Sequence, residues 1–348
     1  MEKLRKTNGI TLIALIITIV VLIILAGVVI MAINGNGGIL NNANKAAEKY
    51  NSKASEEEEL LGTLENKLKE YTGENSDKPT KEPTNVEYFS WTTTETEATI
   101  TGFSDAGKAK YNAGEITELV IPSEYNGLGV TTIGASAFGE CKGLTEVFIP
   151  KSVKVGGDGY RGENGAFEGC SSLTKVTFEE GMETIPAYIM RNTGITEVTI
   201  PNSVKTIGLS AFKQCTKLTK INLGTGVTTI SESAFGECKG LTEVFIPKSV
   251  KVGGDGYRGE NGAFEGCSNL TKVTFEDGME TIPAYIMRNT GITEVTIPNS
   301  VKTIGLSAFN QCTKLTTVNF RVTEAQWNAI SIGSSNDPLT SATKQFSQ

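Results

Sequence analysis

A short phrase, Leu144-Thr-Glu-Val-Phe-Ile-Pro150, recurs through this chain and leaves few folds open to it. It returns as Leu173-Thr-Lys-Val-Thr-Phe178, Ile195-Thr-Glu-Val-Thr-Ile-Pro201, Leu218-Thr-Lys-Ile-Asn-Leu223 and Leu241-Thr-Glu-Val-Phe-Ile-Pro247. Leu270-Thr-Lys-Val-Thr-Phe275, Ile292-Thr-Glu-Val-Thr-Ile-Pro298 and Leu315-Thr-Thr-Val-Asn-Phe320 follow, and Ile116-Thr-Glu-Leu-Val-Ile-Pro122 is a looser first copy. That makes nine short strands, most about 22–23 residues apart. A unit of that length cannot bury its apolar side alone, so the copies must stack as parallel strands of a solenoid.

Within each strand the first, fourth and sixth residues point inward, and the second, third and fifth face out. Thr holds the second position throughout, from Thr117 to Thr316. The third position reads Glu146, Lys175, Glu197, Lys220, Glu243, Lys272, Glu294, Thr317. Parallel strands lie about 4.8 Å apart, so opposite charges fall on neighbouring turns. Each exposed pair favours correct stacking by a few tenths of a kcal/mol. Phe148 and Phe245 hold the fifth position, expected to face solvent. Each would anchor a partner or cover the inserted loop beside it.

The block 136–219 recurs as 233–316, shifted by 97 residues. The copies differ at three positions: Ser172/Asn269, Glu180/Asp277 and Lys213/Asn310. A tandem duplication of four turns accounts for this. Two turns are about six residues longer, through Gly156 to Gly165 and its copy Gly253 to Gly262. The string at Gly157–Gly162 spells GxGxxG, but no strand–helix–strand unit surrounds it, which excludes the nucleotide reading. One Asp and one Glu per copy are too few for a calcium loop. The loops protrude, and protruding loops carry binding residues disproportionately. The candidates are Asp158, Tyr160, Arg161 and Glu163, with Asp255, Tyr257, Arg258 and Glu260.

The chain contains no His, which removes the commonest general base and metal ligand. No catalytic residues, cofactor or metal site are expected. The net charge of −7 argues against nucleic acid. Cys141, Cys170, Cys215, Cys238, Cys267 and Cys312 each stand three residues before a strand-opening Leu, and Asn192 and Asn289 hold that slot in the turns lacking Cys. The slot reads as structural, a small polar side chain meeting backbone groups at the bend. Disulfides are the alternative for an exported chain.

At the other end, Lys3, Arg5 and Lys6 precede an almost wholly apolar stretch, 10–33. Its 24 residues suffice to cross a bilayer, and the basic flank would stay cytoplasmic. Residues 34–72 read as a stalk helix, with Leu60, Leu61, Leu64 and Leu68 at helical spacing, and 73–85 as a linker. Residues 86–114 read as an N-terminal cap, 115–322 as the repeats and 323–348, with Trp327, as a C-terminal cap.

Two resemblances follow from these residues. Asn8-Gly-Ile-Thr-Leu-Ile-Ala-Leu15 resembles the prepilin-type leader of type IV pilins and pseudopilins, which implies cleavage between Gly9 and Ile10. That family usually carries Glu at the fifth mature position; Ala14 stands there instead. The repeat unit, AFxxCxxLTxVxIPxSVxxIG, resembles the BspA-like leucine-rich-repeat family over about 200 residues. This implies an exported surface protein acting in adhesion or host-protein binding. The expected fold is thus mainly β, a leucine-rich-repeat solenoid behind a long N-terminal transmembrane and stalk helix. The expected function is a single-pass surface protein, not an enzyme, that binds an extracellular protein or polysaccharide. The alternative is a pseudopilin-like subunit with pilin-like assembly partners.

Overall fold

The computed structural model describes residues 82–156, 164–253, 262–320 and 323–346. The leader, apolar segment, stalk and most of the linker lie outside these residues. The chain divides into two units, Met1–Glu74 and Asn75–Gln348, and every described residue belongs to the second.

The repeats are entered through a small cap. A 3-10 turn, Val86–Tyr88, leads into β1 (Phe89–Thr93), which pairs antiparallel with β2 (Glu97–Phe103) around a bulge at Ser90/Trp91. Ser104 then caps α1 (Asp105–Asn112) by accepting from the Gly107 amide, which satisfies a donor left open at the helix start. Strand β3 (Glu118–Val120) opens the repeats, and β4 (Glu124–Tyr125) and β5 (Leu128–Ile133) form a hairpin. Its turn is Asn126-Gly127, with φ of 51° and 79°, the pair of left-handed residues a tight hairpin needs. Trp91 stacks on Tyr125 at 4.1 Å, and β2 lies parallel to β5, so the cap docks on the first turn. The expected linker is tied down at its end, because the Thr84 amide donates to the Val120 carbonyl and the Thr84 hydroxyl accepts from the Val120 amide.

From there the chain alternates between two ladders. In order come β6 (Glu146–Ile149), β7 (Lys175–Phe178), β8 (Thr184–Ile185), β9 (Glu197–Thr199), β10 (Thr206–Ile207), β11 (Lys220–Asn222) and β12 (Thr229–Ile230). Then follow β13 (Glu243–Ile246), β14 (Lys272–Phe275), β15 (Thr281–Ile282), β16 (Glu294–Ile297), β17 (Thr303–Ile304) and β18 (Thr317–Phe320). The principal face runs β3-β6-β7, then β9-β11, then β13-β14-β16-β18, all parallel and in register. All nine strands expected from the sequence are present on it. The second ladder is made of two-residue strands, β8-β10-β12 and β15-β17, at the Thr-Ile pairs before each corner.

The core fills the space between the ladders. Leu144, Val147 and Ile149 are fully buried, and so are their counterparts along the face, such as Leu241 and Ile246. One Phe in each of six turns, the two with inserted loops included, enters from the opposite side: Phe138, Phe167, Phe212, Phe235, Phe264 and Phe309 are all fully buried. Neighbours stack with nearly parallel planes, Phe212 on Phe235 at 5.1 Å and Phe235 on Phe264 at 5.3 Å. Truncating one such ring to Ala would cost about 3–5 kcal/mol. Met190 and Met287 fill the column where the Phe is missing.

Each turn bends by means of left-handed residues. Glu140, Asn192, Gln214 and Glu237 have φ between 53° and 63°, and Gly169 and Gly266 take the same place with φ of 76° and 75°. This bend aims amides at the next turn, as in Glu140 N to Glu168 O and Gln214 N to Gly236 O, both 2.7 Å.

At the far end, Thr323 and Gln326 form a capping box on α2 (Glu324–Asn328), and Trp327 lies on Phe320 at 4.4 Å. Strand β19 (Ser331–Ile332) extends the second ladder, and α3 (Asp337–Ser341) follows. Asn336 accepts from the Phe309 amide and donates to the Gly305 and Gly333 carbonyls. Finally β20 (Thr343–Phe346) adds a tenth strand to the principal face, parallel to β18. Strand β20 is not legible in the sequence, because its Thr-Lys-Gln-Phe has Lys344 where the other strands carry an inward Val, Ile or Leu.

Candidate functional site

The outward positions of the principal face do different jobs. The second-position threonines are structural. Thr145 Oγ1 donates to Thr117 O at 3.1 Å, Thr219 to Thr196 O at 3.1 Å and Thr316 to Thr293 O at 3.2 Å. Each hydroxyl thereby ties one turn to the one before. The third-position charges align turn by turn, and Lys175–Glu146 closes to 2.6 Å and Lys272–Glu243 to 3.5 Å. These pairs are largely exposed and contribute little individually.

The two fifth-position phenylalanines separate. Phe245 is 48% exposed, as expected for an anchor, whereas Phe148 is only 8% exposed. The expectation that Phe148 faces solvent is therefore corrected. Phe148 lies in register beside Val120, and the segment at Thr84 flanks Val120 in turn. The first turn is thus sealed by apolar neighbours. Phe245 follows the Asn222 turn, where a polar amide stands in place of Val120, and its ring stays open.

Phe245 borders a shallow open depression of about 480 Å³, lined also by Thr274, Phe275, Glu276, Asp277, Thr296 and Pro298. The Lys248 backbone amide and side chain hold the Glu276 carboxyl below its usual range. Asp277 is exposed and makes no hydrogen bond or ion pair with the described residues. Its counterpart Glu180 behaves differently, accepting from the Ser203 amide at 3.0 Å.

The inserted-loop candidates Asp158, Tyr160, Arg161 and Glu163, and their copies Asp255, Tyr257, Arg258 and Glu260, lie outside the described residues, as do Gly9 and Ile10. What is described is the neck of each loop. The Ala166 amide donates to Gly156 O at 2.9 Å, and the Ala263 amide to Gly253 O at 3.0 Å. An uninserted turn makes the same closure between Ala211 N and Gly208 O. Gly165 N donates to Glu168, whose carboxylate also pairs with Arg191 at 3.0 Å; Gly262, Glu265 and Arg288 repeat this. The solenoid turn is therefore complete without the loop.

The six cysteines are free thiols, five buried and Cys141 half-buried. The five buried thiols donate to the carbonyl of the preceding turn, as in Cys170 to Phe138 O and Cys215 to Met190 O, both 3.0 Å. Burial pushes the Cys141 and Cys215 thiols up to about 11 and Cys170 up to about 12. The expected Cys/Asn slot needs correction. Thr193 and Thr290 occupy it, buried and bonded to Met190 O and Met287 O, while Asn192 is exposed at the left-handed bend. A one-residue shortening of these turns shifts the count from the strand and hid this in the sequence. Among the described residues no group of three or more acidic or thiol side chains could hold a metal, and no helix is long and apolar enough to cross a membrane.

A family model described as "BspA type Leucine rich repeat region" matches residues 106–160, 162–257 and 259–336, in six copies. The chain belongs to the BspA-type leucine-rich-repeat family. Solved structures similar to this BspA-type solenoid include a leucine-rich repeat protein from Bacteroides ovatus, 21% identical, with 72% of this chain and 67% of that one covered and a TM-score of 0.48. The leucine-rich repeat protein of T. pallidum is 22% identical, with 72% and 86% covered and a TM-score of 0.39. The pneumococcal vaccine antigen PcpA is 20% identical, with 69% of this chain and 64% of that one covered and a TM-score of 0.47. No curated protein matches the chain. The BspA-type repeats thus account for the principal face from β3 to β18.

Proposed function

We propose that this chain is a surface-displayed BspA-type repeat protein that works by binding extracellular macromolecules, a protein or a polysaccharide, rather than by turnover. The observation that carries this reading is the principal face: a run of in-register parallel strands, tied turn to turn by threonine hydroxyls, on which the Phe245 ring stands exposed. Preorganised surfaces bind with little ordering cost. The absence of His from the sequence supports binding over acid–base chemistry. The apolar stretch 10–33 behind a basic flank supports a membrane anchor with the repeats outside.

Protease treatment of intact cells, followed by immunodetection of the repeats, tests the location. Removal of the repeats is the expected result, and their full protection would refute it. Pull-down of cell-wall, matrix and culture-medium fractions by the full chain tests the binding.

A further inference from the structure

We propose that the Phe245–Asp277 depression is a recognition site for an arginine side chain presented by an extended segment of a partner polypeptide. The proposal rests on the surface-binding reading and names the partner chemistry for one place on its face.

The duplication supplies the contrast. The two four-turn blocks differ at three positions, and one of them is Glu180/Asp277. In the first block Glu180 is used internally, bonded to the Ser203 amide at 3.0 Å, and the neighbouring Phe148 is 8% exposed. In the second block the side chain is one methylene shorter and makes no bond with the described residues, and the neighbouring Phe245 is 48% exposed. An aromatic face and an uncommitted carboxylate therefore border the same depression only in the second block.

Charge decides what suits it. The third-position side chains alternate in sign, and Glu276 is already answered by Lys248 at 3.0 Å. Asp277 adds a negative charge with no counter-ion among the described residues. A cation is the complementary occupant, and Phe245 offers its ring face to one. Arginine fits better than lysine, because a planar guanidinium both stacks on a ring and forks to a carboxylate. Thr274 and Thr296, exposed beside Phe245, add hydroxyl acceptors for remaining N–H groups. The depression is too open to enclose a small molecule, but an extended segment lying across parallel strands can lower one side chain into it.

The test uses the full chain in detergent, titrated with triarginine amide and with the same peptide carrying neutral citrulline. Binding of the arginine peptide alone is expected, falling with added salt. Phe245→Ala and Asp277→Asn should each weaken it roughly tenfold. Asp277→Glu, which restores the first block's residue, should also weaken it. The thermal midpoint should stay unchanged in all three, since both side chains are exposed. Equal binding of the citrulline peptide, or full binding by Asp277→Asn, would overturn the proposal. So would Phe245-dependent binding of a neutral glycan such as cellohexaose without any arginine binding. If a surface ligand is captured equally by the wild-type and Asp277→Asn chains, this site falls while the binding function stands.

Discussion

Thr193 and Thr290 stand where cysteine stands in other turns, and they show what the slot requires: a small side chain with one donor, able to reach a carbonyl at the bend. Thr193 Oγ1 donates to Met190 O at 2.9 Å and meets Cys215 Sγ at 3.3 Å. Thr193→Val keeps the shape and removes the donor, so it should cost about 1–2 kcal/mol. Asn192→Gly should lie within about 0.5 kcal/mol of wild type, because glycine accepts the left-handed bend freely. Urea unfolding of the two variants decides between these positions. The thiols themselves make a pH prediction. Unfolded thiols ionise near 9.0, and burial raises folded Cys170 to about 12 and Cys215 to about 11. A raised folded value means the contribution is complete below pH 9 and is lost as pH rises toward 11–12. Thermal midpoints should therefore fall between pH 9 and 11, less steeply in Cys170→Ala, and a thiol reagent at pH 8 should label the five buried cysteines only after unfolding.

The strands were legible because their inward Leu, Val and Ile must alternate with polar residues wherever a face is half-buried. The Asn126-Gly127 hairpin carries a clear turn signal, but it sits in the first repeat, where the phrase is loosest. The burial of Phe148 was not legible at all: its phrase is identical to that of Phe245, and only the neighbouring turn, Val120 against Asn222, separates them. The loop necks depend likewise on contacts distant in sequence. Because Gly156 O and Ala166 N close the turn as Gly208 O and Ala211 N do, the loop is an addition to a finished element. Replacing residues 157–164 by one Leu, matching Leu209, should leave the circular dichroism spectrum and thermal midpoint nearly unchanged. A collapse of the fold would show that the loop is part of the turn. Arg191→Met, which strips the half-buried Glu168 of its partner, should instead destabilise by about 1–3 kcal/mol. Adding Arg288→Met should roughly double the loss, since the two clamps sit in separate blocks.

Across the described domain each turn packs chiefly against its neighbours, although Lys217 and Lys314 each reach a carbonyl two turns back, Ser171 O and Ser268 O, so stability is close to a sum along one axis and the ends matter most. Asn336 satisfies three backbone groups of the last turns, and Asn336→Ala should cost about 2–3 kcal/mol. Hydrogen exchange should place the opening at 303–346, while the amides of β6 and β7 keep their protection. At the middle of the domain the end of one block already meets the start of the next. Phe212 stacks on Phe235, and Cys238 Sγ reaches Phe212 O at 3.2 Å. A third block would join through this same seam, and loss of one would leave both caps matched to the block that remains. Unequal exchange between the two near-identical gene segments would therefore lengthen or shorten the protein in steps of about 19 Å without a single new contact having to evolve. The reach of the principal face becomes a quantity that recombination can reset in one event.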